Sequence, residues 1–141
     1  EAVAWRIARH CGVALILDYV HWRSLGDTLQ ALRAHAPCDA FAEPGEADLT
    51  AHVAFEPLAQ AARATGAAVS AMTAQGLLLE RLGITARAQA LARQLSGAAL
   101  EAHVAAHRRL THPEEMGQLF QTLAIFPPRA PLPAGFDAAP F

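Results

Sequence analysis

Lysine is absent: all eleven basic side chains of this 141-residue chain are arginines. They are scattered and do not gather on one stripe, so genome composition accounts for the bias. With thirteen acids the formal net charge is −2, which gives no electrostatic reason to expect nucleic acid or an anionic membrane as partner. Cysteine is scarce. Cys11 and Cys38 are too few for a disulfide framework and point to a reducing compartment, the cytoplasm for a bacterial chain. The longest uninterrupted apolar run, residues 13–17, falls far short of the roughly 20 residues that span a bilayer. No glycine-rich, nucleotide-cradling loop stands ahead of that run. The chain opens on Glu1 without a basic n-region or cleavage site, and is therefore expected to be the inside of a longer protein.

The hydrophobic fraction is 53%, much of it alanine, which favours helix but contributes little buried area per residue. The length suits one compact domain. Residues 1–10 have the spacing of a short amphipathic helix that Gly12 stops. Residues 13–17 read as a strand apolar on both faces, hence a central parallel strand covered by helices. Residues 21–45 form a long aperiodic connection with a short extended piece near 28–32, and connections of that length are functional or disordered. Pro57 opens a helix to about Thr65, and residues 67–72 are a weak strand. Thr73 and Thr85 are expected N-caps of the next two helices, the first closed by Gly83. Leu100, Val104, His107 and Leu110 mark a third helical face. Pro113 and two acids signal a further short helix start, and residues 119–126 are the last strand, ended by Pro127 and Pro128. Residues 1–126 form the domain; 127–141 are a proline-rich tail or linker. Three strands among so much helix suggest part of a larger doubly wound sheet, with an exposed edge open to self-association.

Asp18 and Tyr19 end the first strand, where open α/β sheets bind ligands. Asp18 either faces a cleft or caps a neighbouring turn; Tyr19 either lines that cleft or packs with its hydroxyl at the rim. Asp48, Thr50 and His52 form the densest polar cluster, facing a substrate or only satisfying backbone. Gln75 and Gly76 fall in the first turn of a helix, where glycine costs about 1 kcal/mol relative to alanine; another element, or a ligand, must approach the backbone there. His21, His35 and His52 lack the paired spacing of a zinc site. Ser24, Ser70 and Ser96 lack the Gly-x-Ser-x-Gly context of a hydrolase nucleophile. Cys11 is expected in apolar surroundings at a helix end, protonated and unreactive.

Five pieces in order carry a resemblance: ALILDY at Ala14–Tyr19, GDTLQA at 26–31, PGEADLTAHV at 44–53, Gln75-Gly76 followed by LGI at 82–84, and MGQLF at 116–120. Together they resemble the C-terminal half of an S-adenosylmethionine (SAM)-dependent methyltransferase family, whose mitochondrial member is a complex I assembly factor that methylates protein arginine. The resemblance implies an α/β, Rossmann-like methyltransferase fold with a mixed sheet and flanking helices. The first strand would be the fifth of that sheet and the last two strands its terminal antiparallel pair. It implies SAM as cofactor, gripped mainly by residues outside this chain, and a protein substrate. Asp18 and Tyr19 would be the catalytic residues, and Asp48, Thr50, His52, Gln75 and Gly76 would bind substrate. Eukaryotic relatives would be mitochondrial. Four positions depart from the family pattern: Val20 for glycine, Ala54 for a helix-capping acid, Leu78 for Phe and Gln121 for Lys. A non-catalytic protein-interaction module retaining the fold is the alternative, and a metal-dependent hydrolase a third reading.

Overall fold

The computed structural model describes residues 1–19 and 22–139; Val20 and His21, both weighed above, lie outside that description. The architecture is built around β7 (Phe120–Phe126), which pairs antiparallel with β1 (Ala14–Tyr19) on one side. On its other side β7 meets β5 (Ala68–Val69) and β6 (Thr73–Ala74). The last strand is thus the middle one. Its residues from Gln121 to Phe126 are all buried, which needs helices or loops on both faces.

One face carries Ile16 opposite Leu123 and Ala14 opposite Ile125. The helices α1 (Ala2–His10) and α2 (Phe55–Ala64) cover it with Ala4, Ile7, Phe55, Ala59 and Ala62. Phe55 and Leu123 are fully buried, and removing such a side chain from water is worth about 1.5–3 kcal/mol. α2 starts two residues before Pro57, and Ala54 at its N-cap offers no side-chain bond. The missing capping acid is therefore a real deficit.

β5 and β6 are two halves of one strand broken by a bulge. The pairings Val69 with Ile125 and Thr73 with Thr122 differ in register by one residue. In the gap the Ser70 hydroxyl accepts a hydrogen bond from the Ala124 amide at 3.0 Å, standing in for the lost ladder acceptor. Thr73 consequently belongs to β6 and does not cap α3 (Gln75–Arg81), whose N-cap is Ala74. Gly83 closes α3 in the left-handed region, as its position predicts. α4 (Ile84–Ala92) follows at once, so Thr85 lies inside it, its hydroxyl directed at Glu80 and His107. α5 (Gly97–Thr111) is continuous to Thr111; a turn then holds Pro113, and α6 (Met116–Leu119) starts only beyond it.

Three further expectations are corrected. The 21–45 connection carries more structure than expected: its extended piece is β2 (Gln30–Arg33), which pairs with β3 (Ala36–Cys38) and, beyond the connection, with β4 (Asp48–Thr50) in a separate sheet of order β3-β2-β4. Its strands are too short and its apolar positions too few for a periodic signal. And β1 is not a covered parallel strand here. Among the described residues it pairs with β7 alone, antiparallel, and Val13 just before it, Leu15 and Leu17 are 57, 49 and 45% exposed. The segment from Pro127 onward, expected as a tail, is tied back: the Ala71 amide donates to the Asp137 carbonyl at 2.8 Å, and Arg81 meets the Asp137 carboxylate at 2.9 Å.

Candidate functional site

β1 delivers Asp18 and Tyr19 to its carboxyl end, but side chains alternate along a strand. Asp18 lies opposite Gln121 and on the face of Ile16 and Leu123; Tyr19 lies opposite Phe120 on the other face. The two residues therefore flank the strand end from opposite sides. One Asp18 carboxylate oxygen accepts the Tyr19 amide at 2.8 Å. The other has no hydrogen-bond partner among the described residues, and the side chain is only half-buried.

Around Tyr19 the chain gathers a wall of aromatic rings. Phe120 approaches edge-on with ring centroids 5.9 Å apart, and His52 stands perpendicular at 6.0 Å. His52 is brought there by the small sheet: its amide donates to the Thr28 hydroxyl at 3.0 Å, and Thr50 pairs with Gln30 two residues earlier. Thr50 is half-buried, while Asp48, opposite Leu32, is exposed. Of the polar cluster, only His52 is seen to touch the strand end. Phe120 was missed by sequence reading, although its place at the start of MGQLF's following strand, directly across from Tyr19, is what a correct antiparallel register would have given.

Gln75 and Gly76 are elsewhere. The Gln75 amide donates to the Leu110 carbonyl at 2.9 Å, a carbonyl near the end of α5 that would otherwise lack a partner. A Cβ on Gly76 would land on the Thr111 carbonyl oxygen and 3.1 Å from Gly117 Cα. Another element approaches the glycine; both residues join helices. Cys11 caps the end of α1 and is exposed, contrary to the apolar setting expected. His35 sits in the β2–β3 turn with positive φ.

SAM would need a strand running into a glycine-bearing helix start with room for the nucleoside. Among the described residues β6 runs directly into α3 with Gly76 in the first turn, yet protein backbone fills that space. This junction does not fit a cofactor grip.

A strand order that sets the last strand between β1 and the β5–β6 pair, with helices packed against it, is that of the C-terminal part of a Rossmann-like methyltransferase fold. The chain belongs to the family described as "Putative S-adenosyl-L-methionine-dependent methyltransferase", whose profile matches residues 1–73. It is 37% identical over 126 residues to the mitochondrial protein arginine methyltransferase NDUFAF7 homolog of Drosophila melanogaster, covering 89% of this chain and 29% of that protein. To the human protein arginine methyltransferase NDUFAF7 it is 30% identical, covering 90% and 29%. A Burkholderia thailandensis protein crystallised with S-adenosyl-homocysteine superposes with a TM-score of 0.70 at 27% identity, over 98% of this chain and 36% of that one. A native structure from the same organism gives 0.71 at 28%, over 97% and 36%. The chain thus spans under a third of the curated relatives it matches.

Proposed function

We propose that this chain is the acceptor-facing portion of a SAM-dependent protein arginine methyltransferase, and that the cofactor is gripped by residues of the parent protein outside it. The observation that carries the reading is Asp18 at the end of β1, with one carboxylate oxygen that has no partner among the described residues, across the strand end from the Tyr19, His52 and Phe120 rings. SAM supplies an electrophilic methyl group. The chain's own residues would do the rest.

A protonated guanidinium is a poor nucleophile, because its nitrogen lone pairs are delocalised into the cation. Asp18 accepts a guanidinium N–H, fixes the plane of the group and favours loss of its proton as the nitrogen attacks. The faces of Tyr19 and Phe120 attract the cation as it arrives, and His52 orders the Tyr19 ring. Asp48 and Thr50, farther along the small sheet, would contact the peptide that carries the arginine.

In the full-length protein, Asp18→Asn is expected to lower kcat by about 10²–10⁴, the range for a lost proton acceptor, while SAM affinity measured by calorimetry stays within about twofold. Full turnover by that variant refutes the assignment. The 141-residue chain alone is expected to show no calorimetric binding of SAM. Micromolar affinity would overturn the division of the pocket.

The open edge of β1 and its exposed Leu15 and Leu17 favour one other reading, a non-catalytic interaction module that keeps the fold. A parent sequence without any glycine-rich loop after a strand would decide for it.

A further inference from the structure

The α4–α5 hairpin does little for the core. Neither helix contains a fully buried residue, yet Leu91 and Val104 stand 47 and 57% exposed on them. The two helices are held to each other instead: the His103 ring Nε2 meets the Ala88 carbonyl at 2.9 Å, and His107 meets the Thr85 hydroxyl at 2.9 Å. Between them runs an open groove of about 180 Å³, its apolar lining supplied by Ile84, Ala88 and Leu91 from α4 and by Ala106 and Leu110 from α5. Arg87 also lines it.

Charge separates this hairpin from the rest of the chain. Residues 84–111 hold four arginines and one glutamate, a net +3, whereas the remaining residues hold seven arginines and twelve acids, a net −5. Among the described residues Arg87, Arg93 and Arg109 make no ion pair; Arg108 is bonded to Glu115. A second copy of the hairpin would bring like charge against like, which costs binding.

We infer that the α4–α5 groove is a docking site for an acidic amphipathic helix of another protein. The lining residues Ile84, Ala88 and Leu91 span two turns, about 10 Å at 1.5 Å per residue. That length receives apolar side chains spaced i, i+3 or i+4, i+7 from a partner helix lying in the groove. Arg87, which lines the groove, then meets an acid on the partner, and the hairpin's net positive charge speeds encounter.

The test uses the full-length protein that contains this chain and a fluorescein-labelled synthetic helix of about 18 residues, leucine at i, i+3 or i+4, i+7 and glutamate and alanine elsewhere. A scrambled peptide of identical composition is the control. Anisotropy is expected to show saturable binding that is roughly tenfold weaker for the scramble and weakens as salt rises. Leu91→Glu is expected to abolish binding and Arg87→Glu to weaken it about tenfold, with Arg129→Glu, outside the hairpin, leaving it unchanged. Arg87 is exposed, so its variant keeps the test valid should Leu91→Glu fail to fold. Equal binding of the scramble, indifference to Arg87→Glu, or no saturable binding overturns the inference. Concentration-dependent dimers that Leu91→Glu disperses overturn it in favour of self-association.

Discussion

β1 and β7 are neighbours with the same kind of sequence and opposite fates. Both are apolar on both faces, ALILDY against FQTLAIF. β7 has a partner strand on each side and is buried from Gln121 to Phe126. β1 has one partner among the described residues, and its Leu15 and Leu17 are half in solvent. An apolar side chain gains stability only from what covers it. Apolarity on both faces of β1 therefore fits an environment that the described residues supply on one face only.

The sharpest test of that contrast is a pair of truncations. Leu123→Ala in β7 is expected to cost about 2–5 kcal/mol, because the cavity is enclosed. Leu17→Ala in β1 should cost no more than about 0.5 kcal/mol in the 141-residue chain, being a surface change. Urea midpoints of the two variants measure this. In the full-length protein the Leu17 cost should rise toward the Leu123 value. Equal costs in both settings would mean that nothing covers β1 there, and the expectation that the rest of the protein packs on this strand would fail.

The next effect probes a junction away from the strand end. Gly76→Ala pushes a methyl into the Thr111 carbonyl, a backbone atom that cannot rotate aside. Overpacking of this kind costs typically 1–3 kcal/mol. Methyl transfer by the folded fraction should be unaffected, since Gly76 joins α3 to the end of α5. Retained stability with a selective loss of peptide binding would restore Gly76 to the substrate side.

The contrast between β1 and β7 also shows which parts of the fold the sequence discloses. α1, α2 and β7 were legible because each presents a periodic apolar pattern to the core. Of the β2–β4 sheet only an extended piece near β2 was legible, since β3 is three residues long and fully exposed, leaving no apolar pattern to read. Thr73 and Thr85 satisfy every local rule for an N-cap, but the bulge at Ser70 and the tight turn at Gly83 each shift the helix start by a residue or more. Tertiary pairing overrode local preference. At the site, Asp18 and Tyr19 were found from their place at a strand end. Their opposite facing follows from alternation alone, and Phe120 from register, which a single sequence does not fix. Gln75 and Gly76 showed that something approaches closely without showing what.

The smallest expected effect lies at the link between the two compared regions and the helix beneath them. Just past β1, Arg23 grips Glu56 in the first turn of α2 with two hydrogen bonds, at 2.5 and 2.6 Å, while the Glu56 amide donates to the Trp22 carbonyl at 2.9 Å. The hydrogen bond from Arg23 holds the Glu56 carboxyl below its ordinary value; burial opposes this and the guanidinium charge assists it. The folded value being the lower one, the contribution to stability is fully present above the unfolded glutamate pKa of about 4.3. It is lost as pH falls through the folded value. Arg23 is 68% exposed, so salt screening keeps the term small. Urea unfolding from neutral to acid pH should show Glu56→Gln losing part of the acid slope of the parent chain, with little change near neutrality. An undiminished slope would mean that the pair is too mobile to hold the exit of β1 against α2, and that the backbone bond at Trp22 fixes that exit alone.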